Sequence, residues 1–218
     1  MITLSNLKTI TLVCLIGVGL LVQGSRAHAT GSETLTVAGG CFWCVEADFE
    51  GVEGVTNAVS GYTGGTTTDP TYKQVTGGDT GHYEAVQITF DPEVISARGL
   101  LDMFFRSVDP TDAGGQFCDR GDSYRTAIFA TPDQIAAAAD AKQDAQAELG
   151  QDIVTPVLDA AQFYPAEEYH QDYATGSGLV LTRFGPKSQA NAYKAYREAC
   201  GRDQRVKQLW GSAAPFAG

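Results

Sequence analysis

From His82 to Phe90 the apolar residues alternate: Val86, Ile88 and Phe90 are separated by Gln87 and Thr89. A period of two is the mark of a strand with one face on a core. Asp91-Pro92 ends it, and Ser96 can cap a helix whose Leu100, Leu101, Phe104 and Phe105 form one apolar stripe. The same succession recurs along the chain. Further strands are expected at 34–38, 51–61, 124–130 and 153–158, and helices at 41–49, 166–173 and 188–199. Thr131-Pro132-Asp133-Gln134 carries a capping-box pattern with proline at the first helical position, opening an alanine-rich helix that stops at Gly150. Residues 61–81 and 109–123 are glycine-rich, and loops of that length inside a domain are usually functional. The tail to Gly218 is expected to lie over the surface. Interspersed strands and helices imply one α+β domain, its helices packed on a mixed or antiparallel sheet.

The 218 residues, 43% of them hydrophobic, suffice to bury one core. A net charge of −11 argues against nucleic acid or an anionic membrane surface as partner. Residues 1–29 read as a leader: Lys8, an apolar run over 10–22, then Ala27-His28-Ala29 as a small-residue cleavage site. An uncleaved membrane anchor is the alternative, although the run is short for a span. Cleavage would leave 30–218 as a single domain of net charge −13, exported to a periplasmic or other extracytoplasmic compartment, with no stable membrane association. A monomer is the default expectation. Cys14 would leave with the leader, and Cys41, Cys44, Cys118 and Cys200 would remain.

Gly39-Gly40-Cys41-Phe42-Trp43-Cys44-Val45-Glu46 is the most informative stretch. Two glycines permit a tight turn that delivers Cys41 to a helix start. Free N–H groups and the helix dipole there are expected to lower its thiol below the ordinary value of about 8.5. Cys44 makes a C-x-x-C pair with it, a pattern shared by dithiol oxidoreductases and metal sites. Zinc wants four ligands, and neither His82 nor His170 has a ligand-like neighbour at the usual spacing, so no metal is expected. The bulky Phe42-Trp43 between the cysteines suits a pocket for an apolar group.

With Gly40-Cys41-Phe42-Trp43 followed by Glu46, the chain resembles the A-type peptide methionine sulfoxide reductases. The resemblance continues through Gly61-Tyr62, Pro70-Thr71-Tyr72, Gly77-Gly78-Asp79-Thr80-Gly81-His82-Tyr83-Glu84, Gly115-Gln116-Phe117-Cys118-Asp119-Arg120-Gly121, Tyr124-Arg125-Thr126-Ala127-Ile128-Phe129 and Phe163-Tyr164-Pro165-Ala166-Glu167-Glu168-Tyr169-His170-Gln171-Asp172-Tyr173. It covers nearly all of 30–218. It implies a ferredoxin-like plait and reduction of methionine-S-sulfoxide, free or in proteins, with thioredoxin or another dithiol as reductant and no bound cofactor. It also implies Cys41 as nucleophile, Glu84 as proton donor, and Phe42 and Trp43 around the S-methyl group. Tyr72, Tyr124 and Asp119 would complete the oxygen pocket, and His170 would have a structural role. Glu84 shares parity with Val86, Ile88 and Phe90, so its carboxyl should point to the apolar face, where burial keeps an acid protonated. Cys200, near the C-terminus, is the expected resolving cysteine, with Cys44 and Cys118 as alternatives. Many family members hold another residue at the Cys44 position. A thiol–disulfide oxidoreductase using Cys41 and Cys44 is the rival activity.

Overall fold

In the computed structural model, which describes residues 31–183 and 185–218, a strand forms in each expected stretch, although that at 153–158 is only Val157–Asp159 and that at 124–130 begins at Thr126. The order is β1 (Glu33–Gly39), α1 (Phe42–Glu50), β2 (Val55–Thr63), α2 (Tyr72–Gly77), β3 (Tyr83–Phe90) and α3 (Ala97–Phe105). There follow β4 (Gly115–Gln116), β5 (Asp119–Arg120), β6 (Thr126–Ala130), α4 (Ile135–Leu149), β7 (Val157–Asp159) and β8 (Tyr164–Pro165). The hairpin β9 (Leu179–Thr182) and β10 (Gly185–Ser188) leads into α5 (Gln189–Ala199) and α6 (Arg202–Trp210). The leader proposed for 1–29 lies outside the described residues. No described helix is long and apolar enough to cross a membrane.

Six strands form the main sheet in the order β7-β6-β1-β3-β2-β8. The β6–β7 pair is parallel and the other neighbours are antiparallel, so the α+β fold has the mixed sheet expected. Parity sorts the residues of β3 as the sequence implied. Val86, Ile88 and Phe90 join Leu35 and Val37 of β1 in a core with Val45 and Phe49 of α1 and Leu100 and Phe104 of α3. Tyr83 and Ala85 turn to the other face and pack with Ala38, Ala127 and Phe129. Ser96 Oγ accepts the Gly99 N–H at 3.1 Å, and the four stripe residues of α3 are fully buried. Each such aromatic or leucine side chain is worth about 1.5–3 kcal/mol of apolar burial.

Several local expectations give way to tertiary context. The loop at 61–81 contains α2, whose capping box between Thr71 and Gln74 was present in the sequence. The strand expected at 51–61 runs instead to Thr63, which places Tyr62 opposite Glu84. Over 166–173 only a 3₁₀ turn, Glu168–His170, forms. The helix opened by Thr131 starts at Ile135 rather than Pro132; Gln134 accepts the Thr131 N–H at 3.2 Å as the capping pattern implied and donates its amide to the Thr34 carbonyl at 2.7 Å. The tail is not a surface strap: α6 buries Arg202, Val206 and Trp210. His82 pins the long loop to the sheet, Nδ1 accepting the Gly65 N–H at 3.0 Å and Nε2 facing the Thr67 carbonyl at 2.7 Å.

Candidate active site

Between the end of β1 and the start of α1 the chain must reverse within two residues. Gly40 does so at φ +84°, and a Cβ there would lie 2.5 Å from Gln116 Cβ. Cys41 follows as the N-cap of α1. Cys41 is 7% exposed, and Cys44, one turn further, 2%.

Glu84 reaches the same place from β3. It is 1% exposed, its Oε2 accepts the Phe42 N–H at 3.1 Å, and its Oε1 is buried without a hydrogen-bond partner. Burial pushes this carboxyl up to about 8, against the pull of the Phe42 N–H and with help from the Asp119 charge. The acid therefore holds its proton at neutral pH. A cavity of about 60 Å³ is lined by Cys41, Phe42, Trp43, Tyr72, Glu84, Asp119, Tyr124 and Tyr196. Seven of these are the predicted catalytic and substrate-binding residues, drawn from five separate stretches of sequence. Burial, then the Glu84 charge, raises both Tyr72 and Tyr124, so their hydroxyls remain protonated donors.

Aromatic packing shapes the apolar wall. Trp43 lies flat on Tyr173, with ring centroids 3.7 Å apart and planes 6° from parallel, and donates its Nε1–H to His170 Nδ1 at 3.2 Å. Phe42 packs 5.9 Å from Tyr62 and 6.2 Å from Tyr72. Glu167 holds both tyrosines, accepting the Tyr62 hydroxyl at 2.9 Å and the Tyr72 N–H at 3.0 Å. Glu46 tethers α1 itself, accepting the N–H groups of Ser60 at 3.0 Å and Asp172 at 2.6 Å. Glu46, Glu50 and Asp172 bring one carboxylate oxygen each within 4.8 Å, but those of Glu46 are already committed to backbone.

The expected depression of the Cys41 thiol is corrected by the structure. The Phe42 N–H that would have favoured a thiolate is taken by Glu84. A hydrogen bond to Cys44, burial, and the nearby charges of Cys44, Glu84 and Asp119 all push Cys41 up instead. The same hydrogen bond lowers Cys44, helped by Arg202 and Arg197 and opposed by burial and Asp48. The hydrogen bond thus favours the proton on Cys41 and any charge on Cys44. Behind Cys44, Arg202 donates to the carbonyls of Ser107 at 2.9 Å and Gly39 at 3.4 Å and lies 3.6 Å from Asp48. Arg197 closes the group, 2.7 Å from the other Asp48 oxygen.

Cys118 and Cys200 are joined by a disulfide, Cys118 exposed and Cys200 half-buried at the junction of α5 and α6. The structure thus places Cys200 against Cys118 rather than against Cys41. Beside this bond the Tyr196 hydroxyl donates to Asp119 Oδ2 across the cavity rim. Tyr196, Arg202, Asp48 and Glu167 were not singled out from sequence. Tyr196 lies one helical turn before Cys200, a signal that could have found it; an arginine in a polar tail gives no such sign of burial.

The profile of the family described as peptide methionine sulfoxide reductase matches residues 33–213. Peptide methionine sulfoxide reductase MsrA 2 of Caulobacter vibrioides is 47% identical over 204 residues, covering 92% of this chain and 98% of that relative. Its counterpart MsrA of Bacillus licheniformis is 46% identical, over 82% of this chain and 94% of that one. Among solved structures, reduced Mxr1 of Saccharomyces cerevisiae superposes with a TM-score of 0.64 at 34% identity, covering 69% of this chain and 88% of its own. Methionine sulfoxide reductase A of Corynebacterium diphtheriae gives 0.63 at 30% identity, covering 71% and 79%. With a match of this extent, and a cavity that gathers the motif residues around one buried cysteine, the chain belongs to the peptide methionine sulfoxide reductase family.

Proposed function

We propose that this chain reduces methionine-S-sulfoxide, free or in proteins, by attack of Cys41 on the sulfoxide sulfur while Glu84 protonates the oxygen. Oxide cannot leave unprotonated, so the step needs an acid that is neutral at working pH and has an unoccupied donor position. Glu84, raised by burial to about 8 with Oε1 unpartnered beside Cys41, is the observation that carries this reading. The Cys41 proton passes to Cys44 as the Cys41–sulfur bond forms, and the hydroxyl made by Glu84 protonation then shifts to the Cys41 sulfur while the S–O and Cys41–sulfur bonds break, leaving methionine and a Cys41 sulfenic acid. Phe42 and Trp43 bound the S-methyl group, while the Tyr72 and Tyr124 hydroxyls stand ready to donate as charge grows on oxygen.

Cys44, in hydrogen-bond contact with Cys41, is the resolving residue this geometry favours over Cys200. Cys44 gives up the proton it took to the now ionised Glu84, attacks the Cys41 sulfur, and forms a Cys41–Cys44 disulfide as the sulfenic hydroxyl leaves as water with that proton. An external dithiol of the thioredoxin type opens the exposed Cys118–Cys200 bond, and the two released thiols then reduce Cys41–Cys44 by exchange. Export through the leader at 1–29 would place this chemistry in an oxidising compartment, and an exported product still beginning at Met1 would defeat that part. The test of the activity is an assay of each epimer of a methionine sulfoxide derivative with dithiothreitol. Reduction of the S epimer alone supports the reading. Turnover of dithiols without any sulfoxide would instead favour a thiol–disulfide oxidoreductase, in which Glu84 has no task.

A further inference from the structure

His170 is a buried titratable group that the proposed chemistry leaves unused. Its ring is 2% exposed, packed 4.4 Å from Tyr72, 5.0 Å from Phe42 and 4.1 Å from Tyr169 between centroids. Its Nδ1 takes the indole N–H of Trp43, and its Nε2 is buried with no hydrogen-bond partner. These two facts assign the tautomer. A proton on Nδ1 would set donor against donor, so the neutral ring must carry it on Nε2, although nothing there receives it. A fold that leaves one donor orphaned in order to keep an acceptor facing Trp43 has its constraint on the Trp43 side.

We propose that His170 is a positioning residue for Trp43: Nδ1 of the neutral imidazole locks the indole as a wall of the methyl-sulfur cavity, and protonation of the ring releases it. The proposal rests on the sulfoxide-reductase reading for its consequence in substrate affinity, but not for the switch itself. Without the acceptor the indole keeps its stacking on Tyr173 and the rings of Tyr196 and Phe42 at 6.4 and 6.3 Å, but loses the one directional contact of its N–H. Protonation turns Nδ1 into a donor and ends the hydrogen bond.

Around the imidazole, Glu167 is the charged group that favours the proton, and its two oxygens are held by Tyr62 and by the Tyr72 N–H. Tyr62, Tyr72 and Tyr169 are all raised and stay neutral, while Phe42 and Trp43 of α1 carry no charge. Cys41, Glu84 and Asp119 lie round the cavity that Phe42, Trp43 and Tyr72 line. Burial outweighs Glu167 and holds His170 below its ordinary 6.5. The lock is therefore closed at neutral pH and opens as the medium acidifies.

His170→Asn places an amide oxygen near the position of Nδ1 without a titrating ring, and His170→Leu removes the acceptor. Expected for His170→Leu is a rise of about tenfold in KM with kcat nearly unchanged, because the Cys41–Glu84 geometry is untouched. His170→Asn should restore KM to within about twofold and abolish its rise at acid pH. The chain has two tryptophans, so ¹⁵N NMR of the free protein shows two indole N–H signals, and Trp43→Phe identifies the one concerned. In the wild type that signal should shift with a midpoint below pH 6.5, and in His170→Asn it should not. An active wild type whose KM is unmoved by His170→Leu, or a Trp43 signal titrating alike in wild type and His170→Asn, overturns the proposal. Absence of sulfoxide turnover in the wild type would instead overturn the activity, leaving the NMR titration to decide the lock by itself.

Discussion

Two cysteine pairs share this domain in opposite surroundings. Cys41 and Cys44 are reduced, buried, hydrogen-bonded to each other, and backed by Arg202 and Arg197. Cys118 and Cys200 are oxidised and lie toward solvent, and Asp119, next to Cys118, reaches the cavity of the first pair. Burial suits a sulfur that must hold a sulfenic acid away from water and stray thiols. It also denies that sulfur to a protein reductant, whose own thiolate has to approach in line. The division teaches that reactivity and access, which conflict at one thiol, are met by separating them over two pairs.

The sharpest way to break this comparison is to remove the buried nucleophile. Cys41→Ser should reduce turnover to background in the epimer assay, with the Cys118–Cys200 bond still detectable by mass mapping. Surviving activity would hand the chemistry to the exposed pair. Next in size, Glu84→Gln should lower kcat by about 10²- to 10⁴-fold with KM little changed, the usual range for a lost general acid. In the wild type kcat should fall as pH rises through about 8, where Glu84 loses its proton, and that limb should vanish in the variant.

The same carboxyl has a stability signature of determined sign. Its folded value of about 8 lies above the unfolded 4.5, so between these values the native state holds a proton that the unfolded chain has released. Stability must then decline as pH rises across that window, by up to about 3 kcal/mol at pH 7. Glu84→Gln should flatten the decline and raise the melting temperature at pH 7 to 8. A variant less stable than the wild type there would mean that the carboxyl is ionised and paired in the fold.

The exposed pair is tested through recycling. Cys118→Ser should still yield one methionine per chain in a single turnover without reductant, yet lose roughly tenfold in steady state with a protein dithiol. Dithiothreitol, which needs no protein docking surface, should narrow that loss. Equal losses in the single turnover would place Cys118 in the chemistry itself.

The buried half of this comparison was legible in sequence and the exposed half was not. Alternation at Val86, Ile88 and Phe90 fixes where Glu84 points, and the turn at Gly40 forecasts Cys41 at a helix start. These are local rules with one geometric outcome. The rise of the Cys41 thiol was hidden because it depends on Glu84 arriving from β3 to take the Phe42 N–H, a contact 42 residues distant. Likewise Arg202, polar by any propensity, is buried since Asp48 and two carbonyls receive it, and nothing in its neighbours announces them. The Cys118–Cys200 pairing was one of several that spacing alone allows.

The smallest expected effect concerns how the two halves are joined. Residues 118–119 and 196–200 are linked twice, by the disulfide and by the Tyr196 hydroxyl on Asp119. Links in parallel mask one another: with the bond closed, removing the hydroxyl leaves the segments together, and with the bond open the hydroxyl restrains them alone. Tyr196→Phe should therefore change the alkylation rate of Cys41 by less than about twofold in the oxidised protein, but by several-fold in the Cys118→Ser background, a non-additivity that a double-mutant cycle reads directly. Because Tyr196 also meets the edge of Trp43, the comparison must be made between backgrounds rather than against wild type. Equal effects in both would show that Asp119 is held by its own hairpin, and that the exposed bond acts on the cavity only through electron transfer.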